Sequence, residues 1–336
     1  MITARSLAKH YGDFPALDDV TFDLDDARIL GVIGHNGAGK TTLLKIMAGL
    51  VTPTAGNLLI DGIDVVRRPF NLKRNLGYLP EESRLYETMT TDTYLAFFGE
   101  IYGMPKAAIR ARRDDLLAGL ALEPDGKKIG ELSKGMKRKV AIARSLMHDP
   151  GLLIYDEPTS GLDPMTSRSV LEYIKGLRDR GKTVIFSAHN LSQVEEVCDR
   201  VLILRRGRVV AGGTIAELRE TFGSITYRVF FRIPDLSSFA PPVEYSAHDG
   251  RYLAEARSID ELNRTTAALA AEGAGIDRIE SHYPTLEEML LKIGRCWERK
   301  SGRIFPLPFR PCRRPCGGQV QNEEPRAISA ILTELS

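Results

Sequence analysis

One segment of the chain has the residue types and spacing of a phosphate-binding loop, GxxxxGK(S/T). It follows the apolar run Ile29–Ile33 and precedes a helix-like apolar segment at Thr41–Leu50. Glycines let backbone N–H groups turn inward toward phosphates, and the N-terminus of the following helix adds positive potential. We therefore expect Lys40 to hold the β- and γ-phosphates and the Thr41 hydroxyl to ligate Mg²⁺. The candidate nucleotide-contacting residues are Gly34, His35, Asn36, Gly37, Ala38, Gly39, Lys40, Thr41 and Thr42.

Two adjacent carboxylates follow the short apolar run Leu152–Tyr155. A strand buried in a doubly wound sheet delivers the residues after its C-terminal end to a ligand crevice. In that position Asp156 would lie near Mg²⁺, and Glu157 could orient and deprotonate a water that attacks the γ-phosphate. Paired acids at the end of an isolated strand are more often simply solvated. Downstream of a phosphate-binding loop, the pair predicts a functional role at a nucleotide site, with Glu157 next to the γ-phosphate.

Strand and helix patterns alternate along most of the chain. Short apolar runs at Ile29–Ile33, Leu152–Tyr155 and Thr183–Ser187 predict buried strands. A helical subdomain is expected at about 83–148, with candidate helices at Asp92–Tyr102, Ala107–Leu122 and Ser133–His148. The alternation predicts an α/β fold with a helical insertion.

Five further motifs occur in a particular order around the loop and the carboxylates. They are Tyr11, Gly77–Glu81 (GYLPE), Leu132–Met136 (LSKGM), Ser160–Asp163 (SGLD) and Ser187–His189 (SAH). Taken singly, each has an ordinary structural interpretation, such as a packed surface tyrosine or a histidine at a strand end. In this order and spacing, the chain resembles the ATP-binding subunit of an ABC transporter over about residues 2–220. The resemblance implies a P-loop ATPase core with a helical signature subdomain.

The resemblance also implies a role for each motif. Tyr11 would stack on adenine, and His189 would contact the γ-phosphate and position the attacking water. Ser133 and Gly135 would contact the γ-phosphate of an ATP bound to a second subunit, and Asp163 would cross the interface between the subunits. Two copies of the chain would thus pack head to tail around two ATP molecules, and hydrolysis should need this homodimer.

Two positions depart from the usual pattern of the family. The signature, usually written LSGGQ, reads LSKGM here, so Lys134 adds a positive charge. The family's glutamine after Pro80 is replaced by Glu81. A carboxylate can ligate Mg²⁺ directly or through water, so Glu81 joins Thr41 and Asp156 as a candidate metal ligand. An ionised carboxylate accepts hydrogen bonds and does not donate them.

The segments GYLPEE and LSKGM both resemble an export-type subgroup that includes sodium, drug and antibiotic efflux pumps. Residues 282–289 resemble a closing segment that is common in that subgroup. The implied partner is a membrane permease subunit on a separate chain, with helices docking near residues 78–100. An importer ATPase subunit and a soluble ABC ATPase acting on ribosomes or DNA are the alternatives. The chain has one ATP-binding half and no long coiled-coil insertion, so no nucleic acid partner is expected.

Composition is that of an ordinary globular protein with a distinct tail. Of the 336 residues 43% are apolar and 27% are charged, which excludes a wholly disordered or collagen-like chain. We expect an ATP-binding domain at 1–222, a small α+β C-terminal domain at 225–293 and a disordered basic tail at 295–336. The tail holds three of the four cysteines. Its Cys312 and Cys316 have too few neighbouring ligands to predict a zinc site.

The sequence contains no apolar run of about 18 residues and no apolar signal segment after Met1. A chain of this kind is expected in the cytoplasm. The resemblance places it on the inner face of the cell membrane, held there through the permease.

Overall fold

The computed structural model describes residues 1–24, 28–123, 126–223, 225–233, 243–248 and 251–299. The described residues form two compact units, which divide between Thr214 and Ile215. The sequence pattern had predicted this division at 222. The structure assigns the helix Ile215–Phe222 to the second unit, where it packs against the helix Leu286–Arg299.

The described part of the first unit contains ten strands and seven α-helices. The strands are β1 (Ile2–Tyr11), β2 (Phe14–Leu24), β3 (Ile29–Ile33), β4 (Ala55–Ile60), β5 (Ile63–Asp64), β6 (Leu76–Leu79), β7 (Leu152–Tyr155), β8 (Thr183–Ser187), β9 (Arg200–Arg205) and β10 (Arg208–Gly213). The helices are α1 (Lys40–Met47), α2 (Pro69–Lys73), α3 (Thr91–Ile101), α4 (Lys106–Gly119), α5 (Lys134–Leu146), α6 (Pro164–Asp179) and α7 (Leu191–Val197). The three helices predicted between 83 and 148 lie within three residues of α3, α4 and α5.

A six-stranded sheet with the order β10-β9-β3-β8-β7-β6 positions the candidate site. All neighbouring pairs in it are parallel except β9 and β10. The predicted α/β fold is confirmed. Because parallel strands share a direction, the chain leaves β3, β6, β7 and β8 at the same edge. The phosphate-binding loop, Glu81, the two carboxylates and His189 all follow these strands.

Helix α1 lies in the core of the first unit, next to β2 of a second, antiparallel sheet (order β2-β1-β4-β5) and to β7 and β8. Leu43, Leu44, Ile46 and Met47 of this helix are fully buried. Burial of each such side chain contributes about 1.5–3 kcal/mol. The apolar face of α1 therefore fixes the direction in which the preceding loop approaches the helix.

The residue that follows α3 packs against a histidine that lies two residues after α5. The rings of Tyr102 and His148 are stacked with centroids 3.8 Å apart. His148 Nε2 donates to the carbonyl oxygen of Leu76 at 3.1 Å, and its Nδ1 is buried without a partner among the described residues. Burial lowers the pKa of His148 from 6.5 to about 4. The folded chain therefore holds this ring neutral.

This histidine predicts a stability that depends on pH. Below pH 6.5 His148 of the unfolded chain binds a proton, whereas His148 of the folded chain binds one only near pH 4. The free energy of unfolding therefore decreases as the pH is lowered through this window. The free energy of unfolding is expected to lose about 2 kcal/mol between pH 7 and pH 5 through this residue. Urea unfolding at both pH values measures the loss. His148→Phe should abolish this loss, whereas the exposed His10→Phe should not. An equal decrease in the free energy of unfolding in all three proteins would contradict the prediction.

The second unit is a small α+β structure. Its elements are α8 (Ile215–Phe222), β11 (Thr226–Arg232), β12 (Tyr245–His248), β13 (Arg251–Ala256), α9 (Ile259–Ala271), β14 (Gly275–His282) and α10 (Leu286–Arg299). The strands form an antiparallel sheet with the order β12-β13-β11-β14. Val229, Phe231, Ala254 and Leu269 form its core.

The last described helix, α10, runs to Arg299, past the predicted start of the tail at 295. The remainder of the predicted tail, with Cys312 and Cys316, lies outside the described residues. Within the described part of the chain, no helix is both long and apolar enough to cross a bilayer.

Candidate nucleotide site

The phosphate-binding loop joins β3 to α1 in a conformation that depends on glycine. Gly39, which precedes the first residue of α1, has a φ of 102°, a value that side-chain-bearing residues rarely adopt. A Cβ atom there would also lie 2.5 Å from the carbonyl oxygen of Ala16. The loop turns through a hydrogen bond from Ala38 N–H to His35 O at 3.0 Å. The backbone at Gly39 thus lies close to Ala16, whereas His35, Asn36 and Gly37 remain exposed.

Lys40 is the first residue of α1, and only 6% of its surface is exposed. Its Nζ donates to the carbonyl oxygens of Gly34 at 2.8 Å and His35 at 3.3 Å. Burial lowers the pKa of Lys40, and the negative charges of Glu157 and Asp156 oppose that shift. The ammonium group is therefore held inside the loop and faces the two carboxylates. Thr41 and Thr42 follow it, both partly buried, on the first turn of the helix.

One buried hydroxyl orders the two carboxylate residues at the end of β7. Ser187 Oγ donates to Asp156 Oδ1 at 2.5 Å and accepts from the Glu157 N–H at 2.9 Å. Asp156 is 1% exposed, so its carboxylate is positioned by this bond rather than by solvent. Ser187 belongs to the SAH motif, but no role was predicted for it from the sequence. Its position at the end of β8, the neighbour of β7 in the sheet, was the signal that could have found it.

Glu157 combines an unusual backbone with a partnered side chain. Its φ of 47° lies in the left-handed region, which non-glycine residues enter at a cost of about 1–3 kcal/mol. Its Oε1 is in direct contact with Nε2 of His189. Burial raises the pKa of Glu157 most, the charges of Glu81 and Asp156 add to the rise, and His189 and Lys40 oppose it. A carboxylate with a raised pKa is a better proton acceptor than a solvated one.

The structure brings five of the predicted site residues to one edge of the sheet. His189 contacts Glu157 directly. The negative charges of Glu157, Asp156 and Glu81 act to raise the pKa of Lys40. Glu81 is exposed. One cation, three carboxylates and one imidazole therefore lie beside the phosphate-binding loop.

The signature residues form a second group with α6. Ser133 caps α5, and its Oγ accepts from the Met136 N–H at 3.2 Å. Asp163 caps α6 in the same way through the Thr166 N–H at 2.9 Å, and hydrogen bonds from the side chain and the N–H of Thr166 lower the pKa of this exposed carboxyl. A Cβ on Gly135 would lie 2.9 Å from Thr166 Cγ2, so the two helix starts are closely packed. Each of these three residues thus has a local structural role in the single chain.

Tyr11 lies at the end of β1, in the antiparallel sheet rather than in the parallel one. Its side chain is 49% exposed, and Lys9 Nζ lies 5.0 Å from the ring centroid. One face of the ring therefore has a cationic neighbour. The exposure is what a residue that stacks on a nucleobase would need.

The residues of the site fit a nucleoside triphosphate. A Cβ at Gly34 or Gly39 would clash with the carbonyl oxygen of Leu204 or Ala16, so the loop conformation requires glycine, and Lys40 supplies a buried cation at the start of a helix. Fold and site together define the class of P-loop nucleotide-binding α/β proteins.

Comparison with known proteins identifies the family within that class. The family model described as "ABC transporter" matches residues 17–160. The chain is 37% identical over 227 residues to the ABC transporter ATP-binding protein NatA of Bacillus subtilis (66% of this chain, 92% of NatA). It is 36% identical over 227 residues to the linearmycin resistance ATP-binding protein LnrL of the same organism (67% and 73%). A Nod factor export ATP-binding protein of Burkholderia orbicola is 35% identical over 252 residues (73% and 83%).

Solved structures agree with the sequence relatives. An ATP-binding subunit of an ABC transporter has a TM-score of 0.61 and 35% identity, covering 66% of this chain and 93% of that one. The ATP-binding cassette MJ0796, solved as a post-hydrolysis dimer with ADP and Pi, has a TM-score of 0.59 and 25% identity (64% and 99%). The chain belongs to the ABC transporter ATP-binding protein family. It is an ATP-hydrolysing subunit of an ABC transporter, as the sequence predicted.

Proposed function

We propose that two copies of this chain enclose two ATP molecules and drive export of a compound through a separate membrane permease. The observation that carries the proposal is the split arrangement of the site. Lys40, Asp156 and Glu157 gather at the phosphate loop, whereas Ser133 and Gly135 form a separate group at the start of α5. Such a division suits a site completed by a second copy. The dimeric form of MJ0796 supports this for a relative.

Within each proposed site the residues of one chain bind the nucleotide and activate water. Tyr11 stacks on the base, and Lys40 with the loop amides holds the phosphates. Glu157 accepts the proton of the attacking water, and His189 contacts the γ-phosphate and orients the water. Asp156 is held for its role by Ser187.

We propose Thr41, Asp156 and Glu81 as the residues that hold Mg²⁺. Hydroxyl and carboxylate oxygens are the ligands that this ion prefers. Bound there, Mg²⁺ would neutralise charge on the phosphates. Ser133 and Gly135 offer a hydroxyl and a helix start to the γ-phosphate of the facing site, and helix N-termini favour anions.

The export direction is supported by the names of the relatives, which include a Nod factor export protein and a linearmycin resistance protein. A solved relative, cbiO1, is described as part of a cbiONQ transporter complex, which supports a permease on separate chains. We propose that the permease docks near residues 78–100. The chain would then lie at the cytoplasmic face of the membrane.

Purification of the tagged chain from detergent-solubilised membranes tests the permease assignment. We expect a second polypeptide with several apolar spans to be recovered with it. Arg84→Glu, an exposed change inside the proposed docking segment, should reduce this recovery at least fivefold. The matched control Arg110→Glu, exposed on α4, should leave it unchanged. Recovery of no membrane protein from wild type, or equal recovery for both variants, would contradict the proposal.

A further inference from the structure

One arginine of the signature helix is buried beside the catalytic edge of the sheet. Arg138 lies on α5, two residues beyond the signature segment Leu132–Met136, and is 7% exposed. Burial lowers the pKa of its guanidinium to about 10, so the group stays charged near neutral pH. A buried charge is costly unless its donors are all satisfied.

The guanidinium meets this requirement with oxygen atoms from two separate segments. From the segment after β6 it donates to Pro80 O at 2.7 Å, Glu81 O at 3.0 Å and Ser83 Oγ at 3.3 Å. From the segment after β7 it donates to Asp156 O at 2.9 Å, Glu157 O at 2.8 Å and Pro158 O at 2.9 Å. All five donors are used on backbone carbonyls and one hydroxyl, and one planar group therefore joins α5 to both segments.

The hydrogen bond from Arg138 to Glu157 is made to the backbone of Glu157. This residue has a left-handed φ of 47°, which a glutamate adopts only when its surroundings enforce it. Ser187 holds its N–H, and Arg138 holds its carbonyl oxygen. Both polar groups of the strained residue are therefore fixed from opposite sides. The direction of the Glu157 side chain follows from these two contacts.

We infer that Arg138 is a positioning residue for ATP hydrolysis, which holds Glu157 and the Glu81 segment in a fixed arrangement relative to the signature helix. The inference rests on the proposed role of Glu157 as the base. Arg138 donates to no loop residue in the bonds above, so it acts on turnover rather than on nucleotide affinity. Lysine cannot replace it fully, because one ammonium lacks the planar five-donor fork that reaches both segments.

The test compares Arg138→Gln and Arg138→Lys with the neighbouring control Lys139→Gln. We expect kcat to fall by about 10- to 100-fold in Arg138→Gln, since a small displacement of a catalytic group has an effect of this size. The dissociation constant for ATP, measured by fluorescence titration in EDTA, should stay within about threefold. Arg138→Lys should recover part of kcat, and Lys139→Gln should match wild type. Thermal melting identifies any variant that fails to fold.

The outcomes separate the alternatives. If Arg138→Gln does not fold, Arg138→Lys decides alone: a reduced kcat at unchanged ATP affinity supports positioning, and wild-type kcat overturns it. Loss of ATP affinity in step with kcat also overturns it. Glu157→Gln is measured in parallel. Full turnover in that variant would refute the base assignment, whereas its inactivity together with wild-type kcat in both Arg138 variants would refute only the positioning role.

Discussion

Replacement of Glu157 by glutamine is expected to lower kcat for ATP hydrolysis by about 100- to 10,000-fold while ATP still binds. Glutamine keeps the shape of the side chain but cannot accept the proton of the attacking water. The nucleotide-holding groups at Lys40 and the loop are unchanged by the substitution. Steady-state phosphate release measures turnover, and equilibrium titration with ATP measures binding.

The pH dependence of the wild-type rate gives a second measure of the same carboxylate. Burial raises the pKa of Glu157 above 4.5, and a base must be ionised to act. The rate should therefore fall as pH is lowered through this raised pKa. The fall is expected to be absent from the residual rate of Glu157→Gln.

The matched control for this substitution is Glu123→Gln, an exposed carboxylate shortly after α4. It should keep the wild-type rate. The Glu157→Gln protein, unable to leave the ATP-bound state by hydrolysis, should elute as a dimer on size exclusion with ATP. Wild-type turnover in Glu157→Gln would remove the base from this position.

Replacement of Lys40 by alanine is expected to weaken ATP binding itself, by about 10- to 100-fold in dissociation constant. A hydrogen bond to a charged group contributes about 1.5–3 kcal/mol, which corresponds to that range. The substitution also leaves Glu157, Asp156 and Glu81 without the cation that opposes their charge, so the site becomes more repulsive to phosphates. Titration with ATP measures the change.

Lys45→Ala, an exposed change on the same helix, is the control and should bind ATP as wild type does. Lys40→Met keeps the length of the side chain without its charge, and it should resemble Lys40→Ala. Equal ATP affinity in wild type and both Lys40 variants would show that the loop is not a phosphate site. Thermal melting of each variant confirms that the comparison is made between folded proteins.

Much of the fold follows from local signals. The helices α3, α4 and α5 were predicted within three residues of their observed ends, because glycine or proline follows each of them in the sequence. The division between the units was placed at 222 rather than after Thr214. That boundary depends on the packing of α8 against α10, two helices separated by more than sixty residues, which no local pattern records.

The loop and the carboxylate pair were found for a similar reason. Each depends on a short run of neighbours: glycines that free the backbone around Gly39, and an apolar strand that ends at Asp156. Ser187 and Arg138 were not assigned roles. Their partners lie eighteen to more than fifty positions away in the chain, and they become neighbours only when the sheet and α5 assemble.

The sequence by itself determined the family, the nucleotide and the residues that follow the strands, because those features require particular residue types at short, regular spacing. Only the tertiary structure decided how these residues are held. The Ser187 hydroxyl holds the Asp156 carboxylate and the Glu157 N–H, and the buried Arg138 guanidinium holds the Glu157 carbonyl oxygen. Both contacts join segments whose proximity is created by packing, and a hydrogen bond reaches only about 3 Å. Such contacts leave no pattern along the chain.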